Sequence, residues 1–185
     1  GTKYSPLDQV DATNFDDLRV AWSWESADGA LDLEALREQR QGVSIRGLQA
    51  TPLMVDGVLY LSTAMYQVAA IDAGTGQTLW VYDPEVYSGG EPTHGYGSRG
   101  IAYWSDDEEA RIFWGTSEGY LHAVDAATGR PVPGFGDNGR VDLTEGIPRA
   151  ARGETNYQGR VLLGVKSPPV VVGDIVVTPT IISDF

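Results

Sequence analysis

The sequence has 185 residues, no cysteine and a formal charge of −13 at pH 7. The length allows one domain with a sizeable core, the missing cysteines exclude disulfides and thiolate metal sites, and the charge argues against nucleic acid or an anionic membrane as partner. With 23 Gly, 9 Tyr and 5 Trp the composition is turn-rich and aromatic-rich, which favours strands over helices, and no apolar run approaches the roughly 20 residues of a membrane span.

In chain order, residues 4–7 (YSPL) read as an extended lead-in and 14–18 (NFDDL) as a short turn. Residues 20–24 (VAWSW) predict a strand of a preceding unit. Residues 32–40 (DLEALREQR) predict the one helix, because strong helix formers carry an acidic first turn and a basic last turn. Gly29 and Gly42 flank it and mark a surface insertion between strands.

From Thr51 the pattern becomes strand, turn, strand. Residues 52–55 and 58–62 flank Asp56-Gly57, a strong hairpin signal. Residues 67–72 predict a third strand and 77–82 a fourth. The next cycle runs 100–104, a polar loop at 105–110, 111–116, a turn at Glu118-Gly119, and 120–125. A third cycle starts with 169–172, Gly173-Asp174 and 175–178. Inside the polar loop, the acidic run 106–109 (DDEE) lacks the alternating ligand-and-glycine pattern of a calcium loop and reads as a solvated turn. The chain begins at Gly1 without a basic-then-apolar leader and ends in or just after the strand-like run 174–185, so it is expected to be a segment of a longer polypeptide.

The cycles share a phrase. Residues 70–80 (AIDAGTGQTLW) are echoed 53 residues later by 123–130 (AVDAATGR). A four-strand unit of this period predicts β-propeller blades or a related array, an all-β fold in which each sheet is covered by its neighbours. About two and a half units are present, too few to close a ring. Within the phrase, Asp72 and Asp125 are placed to accept from loop amides, Thr75 and Thr128 to do the same through their hydroxyls, and Gly76 and Gly129 to supply positive φ. Ala70 and Ala123 leave room for a large ring, and Trp80 is placed to dock on the next unit with its indole N–H on a backbone carbonyl. The position equivalent to Trp80 in the second copy is Pro133. A Pro does not sit in a central strand, so the outer strand there is expected to be shifted or replaced, with Phe135 as the docking ring.

The phrase resembles the tryptophan-docking motif of the quinoproteins, the pyrroloquinoline quinone (PQQ)-dependent dehydrogenases. Further segments match in order: 4–9 (YSPLDQ), 50–60 (ATPLMVDGVLY), 98–104 (SRGIAYW), 135–139 (FGDNG) and 167–169 (SPP). The nearest likeness is to the quinoprotein domain of membrane-associated glucose dehydrogenases, of which the chain resembles the N-terminal third. The resemblance implies an eight-bladed propeller with residues 1–185 as the N-terminal part of one domain. It also implies PQQ and Ca²⁺ as cofactors and a sugar or alcohol as substrate. A quinone or cytochrome would accept the electrons, and the remaining blades would be structural partners. The expected location is the periplasm, possible membrane association arising through other segments.

It also points to residues. Arg99 matches an arginine that pairs with PQQ carboxylates, and a guanidinium fork suits that task; otherwise it is a surface Arg at a strand start. His94 stands near a histidine that stacks on the quinone, or is an exposed loop residue. Gln49 replaces a cofactor-contacting glutamate, keeping its hydrogen bonds and losing its charge. Lys166 either meets the anionic cofactor or points to solvent. His122, on an apolar strand, reads as a packed residue rather than a ligand. The Ca²⁺ ligands and the catalytic aspartate are expected outside this segment. A scaffold or ligand-sensing propeller without enzymatic activity is the alternative, and a quinoprotein that no longer binds cofactor is a third reading.

Overall fold

The computed structural model describes residues 8–39, 46–92, 94–148 and 151–182. A short α-helix, α1 (Leu33–Gln39), precedes the strands, with Asp32 capping it by accepting from the Ala35 amide at 2.9 Å. Leu31, Leu33 and Leu36 of this stretch pack on the buried cluster Met65, Tyr66, Val86 and Tyr96. The insertion therefore covers part of the core; Arg40 and Gly42 of the expected helical patch lie outside the described residues.

The first sheet is a four-stranded antiparallel meander of β1 (Leu53–Val55), β2 (Val58–Ser62), β3 (Val68–Asp72) and β4 (Thr78–Tyr82). At the β1–β2 turn, Asp56 and Gly57 have φ of 48° and 80°, the paired positive values that match the strand twist in a two-residue hairpin. The second sheet repeats the meander with β5 (Ala102–Ser105), β6 (Ala110–Gly115), β7 (Tyr120–Asp125) and β8 (Arg140–Asp142). Then come β9 (Leu163–Gly164), the hairpin β10 (Val170–Val172) with β11 (Ile175–Val177), and β12 (Ile181–Ile182), which pairs back on β9.

The period-2 alternation of strand side chains decides how these sheets stack. Tyr60, Val68 and Ala70 face the second sheet and join Ile112, Trp114 and Val124 in one core. Their neighbours Leu61, Ala69 and Ile71 face the other way and are covered by Trp22 and Trp24. On the far face of the second sheet, Ala102, Phe113 and Ala123 pack with Phe135 and with Val171 and Val176 of the next hairpin. Each sheet is thus sandwiched, as a blade in an array must be.

The repeated phrase joins one layer to the next. Asp72 Oδ1 accepts from the Thr75 amide and hydroxyl, both at 2.7 Å, and Asp125 Oδ1 does the same for Thr128 at 2.8 and 2.6 Å. Trp80 Nε1 donates to the Ala126 carbonyl at 3.0 Å, and Trp22 Nε1 to the matching Ala73 carbonyl, also at 3.0 Å. Each indole lies flat on a phrase glycine. A Cβ on Gly76 would sit 2.6 Å from Trp22 Cδ2, and one on Gly129 2.6 Å from Trp80 Cδ2, at φ of +75° and +69°. Glycine is required there twice over, by backbone conformation and by the ring.

One expectation is corrected and another is borne out. Residues 20–24 form no strand; among the described residues nothing pairs with their backbone, and they are held by their tryptophans, Trp24 Nε1 donating to Thr78 Oγ1 at 2.9 Å. In the second sheet the outer strand does move. Val132 N–H donates to the Ala123 carbonyl and Ala123 N–H to the Gly139 carbonyl, so the segment between loops out. β8 takes the outer place, and Phe135 meets Phe113 edge-on at 5.3 Å.

Candidate functional site

Antiparallel pairing puts the start of β1, the β2–β3 loop and the start of β5 at one end of the sheets, with the β6–β7 loop beside them. The phrase loops lie at the opposite end. Three lead-in segments therefore meet at the first end: 46–52 before β1, 94–101 before β5 and 166–169 before β10. All four sequence-predicted site residues sit on these lead-ins.

The segment 94–99 is the rail on which the others hang. Arg99 N–H donates to the Lys166 carbonyl at 2.8 Å, and Lys166 Nζ donates back to the His94 carbonyl at 2.6 Å. Arg46 N–H donates to the Tyr96 carbonyl at 3.3 Å. The stem of Arg46 lies over Gly97, whose missing Cβ would sit 3.4 Å from Arg46 Cδ. Directly before Arg99, buried Ser98 shares a 2.7 Å hydroxyl hydrogen bond with buried Ser62 at the end of β2. The adjoining β2–β3 loop is fixed by Asp28, which accepts from Thr63 Oγ1 at 2.6 Å and from the Met65 amide at 3.2 Å.

The three lead-in segments carry Arg46, Arg99 and Lys166 and no Asp or Glu. Lys166 is only 9% exposed, and its amine is held down to about 8, first by burial and then by the positive charges of Arg46 and Arg99. The ion pairs among the described residues are Arg111–Glu109, Arg140–Asp137, Arg152–Asp142 and Arg160–Glu91; Arg46, Arg99 and Lys166 take part in none. In a chain with 26 acidic residues, three cations on neighbouring lead-ins with no ion pair among the described residues form a site with the chemistry of an anion receptor.

His94 and Arg99 are exposed, so ring and guanidinium are open to a ligand while their backbones are pinned. Gln49 is also exposed, two residues before Thr51, whose carbonyl approaches Gly100. The structure therefore brings Arg99, Lys166 and His94 into direct backbone or side-chain contact, and places Gln49 on the adjoining lead-in. Sequence reasoning missed Arg46, three residues before Gln49, because no local pattern marks a side chain whose neighbours lie about fifty residues away.

Two other residues stand apart. His122 is 4% exposed, stacked on Trp114 at 5.0 Å with neither ring nitrogen hydrogen-bonded among the described residues, a packed position between the sheets. Asp106 accepts from the Glu108 and Glu109 amides at 2.8 Å, a self-contained turn. Among the described residues no group of three His, Cys, Asp or Glu is placed to hold a metal ion.

The model of the family described as PQQ: Glucose/ethanol/alcohol dehydrogenase, beta-propeller domain matches residues 1–185. The chain belongs to this family. This quinoprotein propeller segment is 36% identical over 169 residues to the quinohemoprotein alcohol dehydrogenase of Comamonas testosteroni, covering 88% of this chain and 20% of that protein. It is 35% identical over 159 residues to the 1-butanol dehydrogenase (cytochrome c) of Thauera butanivorans, covering 83% and 20%. The crystal structure of the Comamonas enzyme superposes with a TM-score of 0.67 at 30% identity, over 96% of this chain and 21% of that one. A europium-containing methanol dehydrogenase shares the fold with a TM-score of 0.65 at 23% identity, over 97% and 25%. The quinoprotein segment spans about a fifth of the length of the curated relatives it matches.

Proposed function

We propose that residues 1–185 are the N-terminal part of a single quinoprotein-type propeller domain, and that the whole protein is a PQQ-dependent dehydrogenase oxidising an alcohol hydroxyl to a carbonyl. The observation that carries this reading is the uncompensated cation cluster where the lead-in segments meet. PQQ is a polycarboxylate, and its chemistry matches that donor set. When bound, PQQ supplies the two-electron acceptor that side chains lack.

This chain's residues would bind and orient it. Arg99 offers a permanently charged planar fork to a carboxylate. Lys166, below its pKa of about 8, adds a second positive charge fixed by the His94 carbonyl. His94 offers a ring face on a pinned backbone, and Gln49 an amide able to donate or accept. A Ca²⁺ ion, its ligands and the catalytic base belong to the remaining blades. The alcohol class is favoured over sugars by the names of the relatives above, and a quinone or cytochrome would take the electrons in the periplasm.

The test is PQQ titration of the intact protein in the presence of Ca²⁺, followed by dye-linked oxidation of ethanol, 1-butanol and glucose. PQQ is expected to bind and the alcohols to reduce the dye, and Arg99→Ala to weaken PQQ binding roughly ten-fold or more. Oxidation of glucose alone would move the substrate class to sugars. A folded intact protein that neither binds PQQ nor oxidises any of the three overturns the reading.

A further inference from the structure

We propose that Arg46 is a third cation of the cofactor site, holding a carboxylate of PQQ alongside Arg99 and Lys166. The inference rests on the PQQ reading above and adds a residue to it.

Three features place Arg46 there. Its backbone is tied to Tyr96, three residues from Arg99. Its aliphatic stem is laid flat over Gly97, so the guanidinium is carried along the same rail that holds Arg99 and Lys166. Burial first, and then the charge of Arg46 ahead of that of Arg99, lowers the Lys166 pKa. Like charges brought this close repel one another in the free protein. A fold that keeps the cluster without an ion pair among the described residues is built for an incoming anion. PQQ carries three carboxylates, and with Arg46 the site offers three cations.

A purely structural Arg46 makes a different forecast. Such a residue would need its stem over Gly97 and not its charge. Arg46→Gln keeps much of the stem and removes the charge, while Arg46→Lys keeps both stem and charge and loses the planar fork.

The experiment uses the intact protein in three variants, Arg46→Gln, Arg46→Lys and Arg99→Ala, with two readouts. In the absence of cofactor, the titration of Lys166 is followed by its pH-dependent reactivity toward an acylating reagent. Arg46→Gln is expected to move that titration upward from about 8, and Arg46→Lys to leave it near the starting value. In the second readout, PQQ is titrated in near neutral pH by quenching of tryptophan fluorescence at low and moderate salt. Arg46→Gln is expected to weaken binding roughly ten-fold or more and to flatten its salt dependence, and Arg46→Lys to remain within about three-fold of the parent. A Lys166 titration unmoved by Arg46→Gln overturns the proposal. So does unchanged PQQ affinity in Arg46→Gln when Arg99→Ala weakens it. If neither Arg99→Ala nor Arg46→Gln alters PQQ affinity, the underlying cofactor reading falls as well.

Discussion

Acidification from about pH 7.5 to about pH 5 should destabilise this fold through one side chain, His122. The imidazole lies between the two sheets, stacked on Trp114 with ring centroids 5.0 Å apart and with Tyr82 and Tyr120 at 6.3 and 6.1 Å. Burial first, and then the positive charge of Arg140 on the neighbouring strand, push its pKa from 6.5 down to about 3. The unfolded chain therefore takes up a proton here as the pH falls through 6.5, while the folded chain stays neutral until near 3. Stability contributed by the neutral ring is fully present above 6.5 and drains away below it. At about pH 5 the loss is about 2 kcal/mol, a figure set by the unfolded value and insensitive to the folded one so long as that lies well below 5. Asp142, held at about 2 mainly by its Arg152 hydrogen bonds, titrates below this window. Asp28 acts in the opposite sense, because burial raises its carboxyl pKa and lets the folded state bind a proton first. The diagnostic is therefore the difference between the parent and His122→Phe, which keeps an aromatic ring on Trp114. Urea unfolding at both pH values should show the parent losing about 2 kcal/mol more than the variant. The variant should also be at least as stable near neutrality, since it removes two buried nitrogens that have no hydrogen-bond partner among the described residues. Equal pH dependence in the two proteins would refute the argument.

Two further outcomes follow from the same contacts. Gly129→Ala combines a positive φ with a Cβ 2.6 Å from the Trp80 ring and should cost about 2–4 kcal/mol in thermal or urea unfolding, with tryptophan emission shifted to the red as the indole is displaced. Arg152→Ala removes the hydrogen bonds to both Asp142 oxygens, so carboxyl NMR should show Asp142 titrating upward from about 2 toward 3.8; because the pair is partly exposed, the stability change should stay within about 1 kcal/mol.

The strands were legible wherever a local rule determines them. Alternation and the Asp56-Gly57 turn place β1 and β2 within a residue, and the Asp-Thr-Gly chemistry specifies the phrase loops because every partner lies within a few positions. Residues 20–24 show the limit of such rules. Their pattern suits a strand, yet a strand exists only where a second backbone completes its ladder. β9 and β12, two residues each, are too short to leave a periodic trace. For the site, Arg99 and Lys166 were reachable through the SRGIAYW and SPP segments and the resemblance they carry. The hydrogen bonds from Arg99 to Lys166 and from Lys166 to His94 were not, since these join residues 67 and 72 positions apart. Arg46 left no local signal because its significance lies wholly in what the fold brings beside it.

The geometry of a repeated meander explains why the layer-joining contacts and the cation cluster occupy opposite ends of these sheets. The phrase loops, at the end of each third strand, carry obligations that leave little choice: an Asp and Thr to close the loop, and a Gly flat enough for the preceding layer's indole. Those contacts fix the spacing and register of one sheet on the next. The lead-ins before each edge strand sit at the other end and supply no ladder bonds of their own, so substituting side chains such as Gln49, Arg99 and Lys166 would not undo a strand. Because successive sheets are stacked in register by the indole contacts, equivalent lead-ins converge on one place. Cations placed on separate repeats therefore become neighbours, and Lys166 can reach the His94 carbonyl across 72 residues of sequence. On this view a mutation in a phrase loop would disturb the cation cluster only by loosening the stack as a whole, whereas removing a charge from the cluster would leave the stack intact. Gly129→Ala and Arg46→Gln separate those two cases, the first measured by unfolding and the second by anion binding at unchanged stability.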